Sequence, residues 1–300
     1  MKKYVLIFGL VVAWNANAAN DCADGEQNCW DCGKTADDLC TARLEGTNLT
    51  ITGTGEMEDY GWYKSEGVYV TTAPWGNTPK GNTEITDITI DGITRVGNSA
   101  FLGATNLENI TFSDSVLEIG ANALHSSGLT HLELPANLKV LEGGSIQNIK
   151  SIDNIIIPDS VETIGDAVFN HWTSIESIVI PDSVKTLGHH VFSSCDNLKS
   201  IVLGDGVTSI NIKSFSGTLA YIYCQDTAER SCQDLIGGNN PEALGKLKRY
   251  TVDSNGKIKV GSKTYDSFDD LPKYVLRRIY TLKEALEAAG KVNSVKIRYR

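Results

Sequence analysis

Residues 152–174 read IDNIIIPDSVETIGDAVFNHWTS, and residues 175–197 read IESIVIPDSVKTLGHHVFSSCDN. The two segments align without a gap. Ile155 and Ile157 flank Ile156 in period-2 alternation, which predicts a short strand with two side chains in and one out. Pro158-Asp159-Ser160 ends that strand, because proline cannot serve a continuing ladder. Val161 and Ile164 point back inward, Gly165 relaxes a corner, and Ala167-Val168-Phe169 predicts a short helical or irregular return. One such unit cannot bury its own apolar groups; stacking it on a neighbour about 4.8 Å away does.

Working outward, further copies start at Ile85, Leu107, Leu129, Leu198 and, more worn, Leu219. The period is therefore about 22–23 residues, the signature of a solenoid. The column Phe101, Leu124, Ile146, Phe169, Phe192, Phe215 is expected to form a continuous spine away from the strands. The copy at Leu129 departs from the pattern, with Leu141-Glu142-Gly143-Gly144 in place of Ile-Gly.

The pattern I-x-I-P-D-S-V-x-x-I-G-x-x-A-F-x-x-C resembles the BspA-type leucine-rich repeat family, and Cys195 falls on its Cys position. The lead-in Leu49–Met57 (LTITGTGEM) and Pro74-Trp75 are similar to the family's as well. The resemblance spans about Cys40 to Cys232. It implies an α/β solenoid, a parallel-strand horseshoe, with roles in adhesion or recognition at cell surfaces and no catalytic residues.

The flanks organise the rest of the chain. Residues 1–18 read as a signal peptide: Lys2 and Lys3, an apolar run from Tyr4 to Trp14, and Ala16-Asn17-Ala18 as a small-x-small cleavage site. No later stretch is apolar enough to span a membrane, so a secreted, surface or periplasmic protein is expected. Residues 19–84 form a Cys-containing, β-rich N-terminal cap region, needed because a solenoid end exposes strand surface. In it Leu44 to Glu56 reads as a hairpin turned by TGTG, and Trp62, Tyr63, Tyr69 and Trp75 are expected to cover the first coil. The repeats occupy 85–240. Residues 241–300 form a small α+β module: a hairpin with an Asn255-Gly256 turn, a helix from Thr281 to about Ala289, and a strand from Val295 to Tyr299.

Charge divides the chain. The net charge is -10. Residues 241–300 carry 14 Lys and Arg against 7 Asp and Glu, a balance of +7 that leaves -17 for the remainder. The overall balance argues against nucleic acid as partner. The basic module could anchor electrostatically to an anionic envelope component or dock onto the acidic solenoid.

Seven cysteines fit an oxidising compartment. Cys22, Cys29, Cys32 and Cys40, with Cys224 and Cys232, suggest three disulfides, leaving Cys195 as a buried free thiol. Zinc at the Cys29/Cys32 pair is the weaker reading, and a redox C-x-x-C there weaker still. His171, His189 and His190 lack a third convergent ligand. The recurring turn residues Asp114, Asp159, Asp182 and Asp205 fit carboxylates bonding their own turn better than calcium. No phosphate loop or G-x-S-x-G is present, and no cofactor is implied.

Only the outward strand positions remain to carry recognition: Thr89, Thr111, Glu133, then the apolar Ile156, Val179, Val202 and Tyr223. The last four form a candidate partner-binding stripe. The expected function is non-catalytic recognition or adhesion toward a protein or envelope polymer. A self-assembling structural envelope component is the alternative.

Overall fold

The computed structural model describes residues 22, 26–77, 84–211, 213–218, 220–226, 231–237, 247–252, 258–260 and 263–265. The leader, the expected helix from Thr281 and the expected strand from Val295 lie outside these.

The described residues open with an antiparallel meander of β1 (Cys29–Asp31), β2 (Leu39–Glu45) and β3 (Asn48–Glu56). A separate hairpin follows, β4 (Trp62–Ser65) with β5 (Val68–Thr71), then a 3-10 turn at Pro74–Asn77. β3 pairs in parallel with β6 (Asp87–Val96), the first strand of the repeats. The cap thus supplies the strand that the first coil would otherwise leave open.

From β6 onward the coils build two parallel sheets where one was expected. The first contains the start of β6 with β7 (Asn109–Phe112), and later β11 (Ser177–Ile180), β13 (Ser200–Leu203) and β15 (Tyr221–Gln225). The second takes the end of β6 and then two-residue strands, one per coil. These are β8 (Glu118–Ile119), β9 (Val140–Leu141), β10 (Thr163–Ile164), β12 (Thr186–Leu187) and β14 (Ser209–Ile210). The core lies between the sheets and the returns. In the coils at Leu129 and Ile152 the first segment keeps its alternation, with Leu132, Ile155 and Ile157 buried, but forms no ladder.

The returns are turns, not helices. Each has two left-handed residues four apart: Ser99 and Gly103, Asn122 and Ser126, Gly144 and Asn148, Ala167 and His171, His190 and Ser194, Lys213 and Gly217. The reason is where the backbone donors go. Ser99, Phe101 and Gly103 donate N–H to Ala121, Ala123 and His125 of the next coil at 2.8, 2.8 and 2.9 Å. Ala167, Phe169 and His171 repeat this toward His189, Val191 and Ser193. A helix would keep these donors within its own turns. Alternating handedness aims every second N–H at the neighbour, so the ladder runs through the corner. Non-glycine residues tolerate φ > 0 there because coils on both sides fix them.

The spine expected from Phe101 to Phe215 is buried throughout. Phe169 and Phe192 stack at 5.7 Å, and Phe192 and Phe215 at 5.8 Å, each pair 6° from parallel. Trp75 continues the column by stacking on Phe101 at 5.9 Å while its Nε1 donates to Ala100 O at 2.8 Å. Of the four cap aromatics, only Trp75 is a plug. Tyr69 packs edge-on against His125, and Trp62 and Tyr63 stay about half exposed. Trp172 and Cys195 hold equivalent places in successive coils. Each donates to the coil before, Trp172 Nε1 to Ile146 O at 2.6 Å and Cys195 Sγ to Phe169 O at 3.0 Å.

Two local expectations are corrected. The β2–β3 turn is at Gly46, with φ 63°, not at the TGTG run. Gly53 and Gly55 lie inside β3, where a Cβ would sit 1.7 Å from Leu39 O and 2.1 Å from Asp38 Oδ1. Those glycines serve close approach, which uses the same residue type as a turn. One of the turn aspartates, Asp182, also bonds outside its own turn. Asp182 Oδ1 accepts from Asp205 N at 2.8 Å, and Ser160 Oγ donates to Ala136 O and Leu138 O. At these two positions the turn side chains tie one coil to the next.

The two strands expected in the C-terminal hairpin pair, and the expected Asn255-Gly256 turn lies outside the described residues. β16 (Leu247–Val252) pairs antiparallel with β17 (Ile258–Val260), and β18 (Lys263–Tyr265) follows. β16 also pairs in parallel with β15, Ile222 opposite Leu247, so the first sheet continues across the 240/241 boundary. Disulfides join Cys22 to Cys29, Cys32 to Cys40, and Cys224 to Cys232, the last at the start of α1 (Cys232–Gly237). Cys29 and Cys32 therefore bond different partners. Cys195 is free and buried, and burial pushes its thiol up to about 12.

Candidate binding face

The outward residue column is set by strand pairing in two runs, separated by the coils at Leu129 and Ile152 that form no ladder. Thr50 stands opposite Thr89, and Thr89 opposite Thr111. Val179 stands opposite Val202, Val202 opposite Tyr223, and Tyr223 opposite Lys248. Glu133 and Ile156 continue the sequence of coils between. Thr50, Thr89, Thr111 and Glu133 are exposed. The apolar part divides: Val179 is 39% exposed, Ile156 and Val202 are half-buried, and Tyr223 is only 5% exposed.

Tyr223 therefore leaves the predicted stripe. Its place as an exposed aromatic is taken by Tyr221, two residues earlier on the same strand face, with Lys248 Nζ 4.6 Å from its ring centroid. The parity of β15 would have placed both tyrosines outward; parity cannot show which of the two is covered. Ser200 lies on the outward face of β13 beside Val202, opposite Ser177 and Tyr221. It is buried, and its Oγ has no hydrogen-bond partner.

A second polar feature lies on the short-strand sheet, and the sequence reading missed it. Arg95 is nearly buried and gathers groups from four levels of the stack. Its Nη1 donates to Asp59 of the cap at 2.6 Å and its Nε to Glu118 at 2.6 Å. Its Nη2 donates to Asn98 Oδ1 at 2.9 Å and to Glu142 at 3.3 Å. Glu142 sits where neighbouring coils carry Gly120, Gly165 and Gly188, and its carboxylate also accepts from Ala121 N at 2.8 Å. The departure in the Leu129 coil is thus the source of a ligand for Arg95. Burial and the hydrogen bond with Glu118 push the Glu142 carboxyl up. Burial opposes ionisation of Glu118 and Asp59 too, but their hydrogen bonds outweigh it and hold both below the usual range. The signal available in sequence was one arginine at an outward strand position, with carboxylates tens of residues away.

The histidines are dispersed. His125 is buried under Tyr69, and burial, with His171 nearby, lowers its pKa. His171 Nδ1 meets Asn170 Oδ1, His189 N donates to Asp166 Oδ1, and His190 Nδ1 meets Ser193 Oγ. Among the described residues no group of three or more His, Cys, Asp or Glu side chains is placed to hold a metal ion. No helix among them is long and apolar enough to cross a membrane.

The repeat is shared with known proteins. The model for the BspA type leucine rich repeat region matches six copies over residues 80–199 and 168–231, just over half the chain. No curated protein matches. A leucine-rich repeat protein from Eubacterium ventriosum is 21% identical, with 68% of this chain and 67% of that one covered and a TM-score of 0.42. One from Bacteroides ovatus is 16% identical, with 66% and 60% covered and a TM-score of 0.43. A leucine rich cell surface protein from Faecalibacterium prausnitzii is 18% identical, with 80% and 60% covered and a TM-score of 0.36. Six matched copies, a period of about 23 residues and a stack of parallel strands converge on one conclusion: the chain belongs to the BspA-type leucine-rich repeat family.

Proposed function

We propose that this protein is an exported, non-catalytic recognition protein that binds a protein partner through the outward face of its first sheet. One observation carries the reading. Nearly every repeated residue is consumed inside the stack, whereas the outward column changes character coil by coil, from Thr89 and Thr111 through Glu133 to Ile156, Val179 and Val202. Structural demands alone would leave that column free to stay polar. Val179 and Val202, held opposite each other on paired strands with Ile156 in the coil before them, offer the apolar patch a partner surface needs.

Several features support the address. The leader-like segment 1–18, three disulfides and a family that includes a named cell surface protein all fit an extracytoplasmic location. The basic residues of 241–300 would strengthen association with an anionic envelope, an interaction that high salt would release.

The test is photocrosslinking of the mature protein on intact cells, with wild type and Val179→Asp compared. Val179 is exposed, so the variant should fold and lose the crosslinked partner. Unchanged crosslinking by a folded Val179→Asp protein would refute the assignment of this face. Crosslinks joining only copies of this chain would favour structural self-assembly instead.

A further inference from the structure

The stripe has charged margins, and they are regular. Three residues before and three after each stripe position stand Asp153 and Asp159 around Ile156, Glu176 and Asp182 around Val179, and Lys199 and Asp205 around Val202. All six are exposed. Five are acidic, and the one lysine forms an ion pair with Glu176 at 2.9 Å. Lys185 is a second cation near the turn row, its Nζ close to Gly206. Five carboxylates thus face two lysines around a stripe that is itself uncharged. Crowding shows on Asp159, whose carboxyl is raised by burial and by the neighbouring Asp182. The floor carries a further unmet demand: the Ser200 hydroxyl, buried on the outward face beside Val202, has no partner. In the polar half this framing is broken rather than continuous: Thr111 keeps it, between Glu108 and Asp114, but Thr89 is flanked by Thr86 and Gly92, and Glu133 by Thr130 and Ala136.

From this we infer that the face over Ile156, Val179 and Val202 docks a basic polypeptide segment in extended form, small apolar side chains on the stripe and Lys or Arg on the two acidic margins. The inference rests on the recognition reading above and names the partner's chemistry. Alternation in an extended chain sends side chains to opposite faces, so the apolar positions can meet the valines while long cationic side chains reach sideways to the rows. Acidic rows would also speed encounter with such a partner and repel acidic ones.

The test uses the full mature chain and two fluorescent probe peptides, one alternating Lys and Val, the other Glu and Val. Binding is read by anisotropy at low and high salt. The Lys peptide should bind, weaken about tenfold in the triple variant Asp159→Asn, Asp182→Asn, Asp205→Asn, and weaken again in Val179→Gln. That fold-change corresponds to three exposed charge contacts of a few tenths of a kcal/mol each. Asparagine keeps the oxygen that accepts from Asp205 N, so melting curves of the triple variant should match wild type. A control triple away from the face, Asp37→Asn, Glu45→Gln, Asp196→Asn, should bind as wild type and separates local from net charge. Equal binding of the Glu peptide, or undiminished binding by the folded triple variant, overturns the inference. If the cell-surface partner still depends on Val179 in that case, the recognition reading survives without this partner class.

Discussion

The two halves of the stack solve one problem by different means. From Phe169 to Phe215 the coils are held by parallel rings, three in a row, at about the coil spacing. From Phe101 to Ile146 the same column is filled by Leu124 and Ile146, and the ring contact is lost. That half instead has Arg95 and its carboxylates, which join the cap to the first three coils along the other sheet. The contrast teaches that a repeat specifies the path of the chain, while the forces holding neighbouring coils together can be exchanged. A column of rings propagates indefinitely. A charge cluster is finite, and it sits at the end where the stack must be tied to something unlike itself.

The largest expected effect comes from breaking the ring column at its centre. Phe192→Ala removes a fully buried side chain that stacks on both sides and should cost about 3–5 kcal/mol. The measurement is the denaturant midpoint of the mature chain, with Leu124→Ala as the comparison from the other half. A loss under about 1 kcal/mol for Phe192→Ala would mean that the column is not what holds these coils.

Arg95→Met tests the other half. Removing one member of a buried charge group typically costs about 3–5 kcal/mol. Here Asp59, Glu118 and Glu142 remain 29–40% exposed, so water can take over part of their solvation and about 2 kcal/mol is expected. Protection of the cap amides against hydrogen exchange should fall with it, while the amides of coils 175–218 keep theirs. Equal loss in both regions would mean that the halves are not separable.

These two predictions differ in how far their residues could be read in the sequence. The Phe column was legible because it recurs at the repeat period, and so was the antiparallel pairing of Leu247–Val252 with Ile258–Val260, which needs only local alternation. The second sheet was not. Its strands are two residues long, too short for any alternation, and before the Gly165 corner the sequence marks only that Ile164 points inward. Arg95 was out of reach because its carboxylate partners lie 23 to 47 residues away and one is supplied by the coil that breaks the pattern. On the candidate face, register was legible but coverage was not: Val179, Val202 and Tyr223 share a column, and only Tyr223 is buried.

The pH dependence of the charge cluster sharpens the comparison further. Glu142 is raised in the folded protein, so its favourable contribution is complete below the unfolded carboxyl value, about 4.3, and is lost as pH rises through the folded value. Asp59 and Glu118 are lowered, so theirs is present above their unfolded values and lost as pH falls through the folded ones. Glu142→Gln keeps an oxygen for Ala121 N and removes the first titration only. Its stability relative to wild type should therefore improve as pH rises above about 4.3, while acid still destabilises both proteins. Parallel stability curves for the two proteins across that range would contradict the assigned shift.

The smallest effect concerns the place that Trp172 and Cys195 share. Both donate to the carbonyl of the preceding coil, one through an indole and the other through a thiol. If the bond rather than the element matters there, Cys195→Ser, which keeps a donor, should change stability by under about 1 kcal/mol. Cys195→Val should cost more, because Phe169 O would be left without that donor inside the core. The thiol's pKa, pushed up to about 12 by burial, predicts that iodoacetamide leaves Cys195 unmodified in the folded protein at pH 8 and alkylates it once denaturant is added. Mass spectrometry of the folded protein reads this directly. Rapid modification without denaturant would show that the coil opens at this position, and that the ring column beside it is looser than its stacking distances imply.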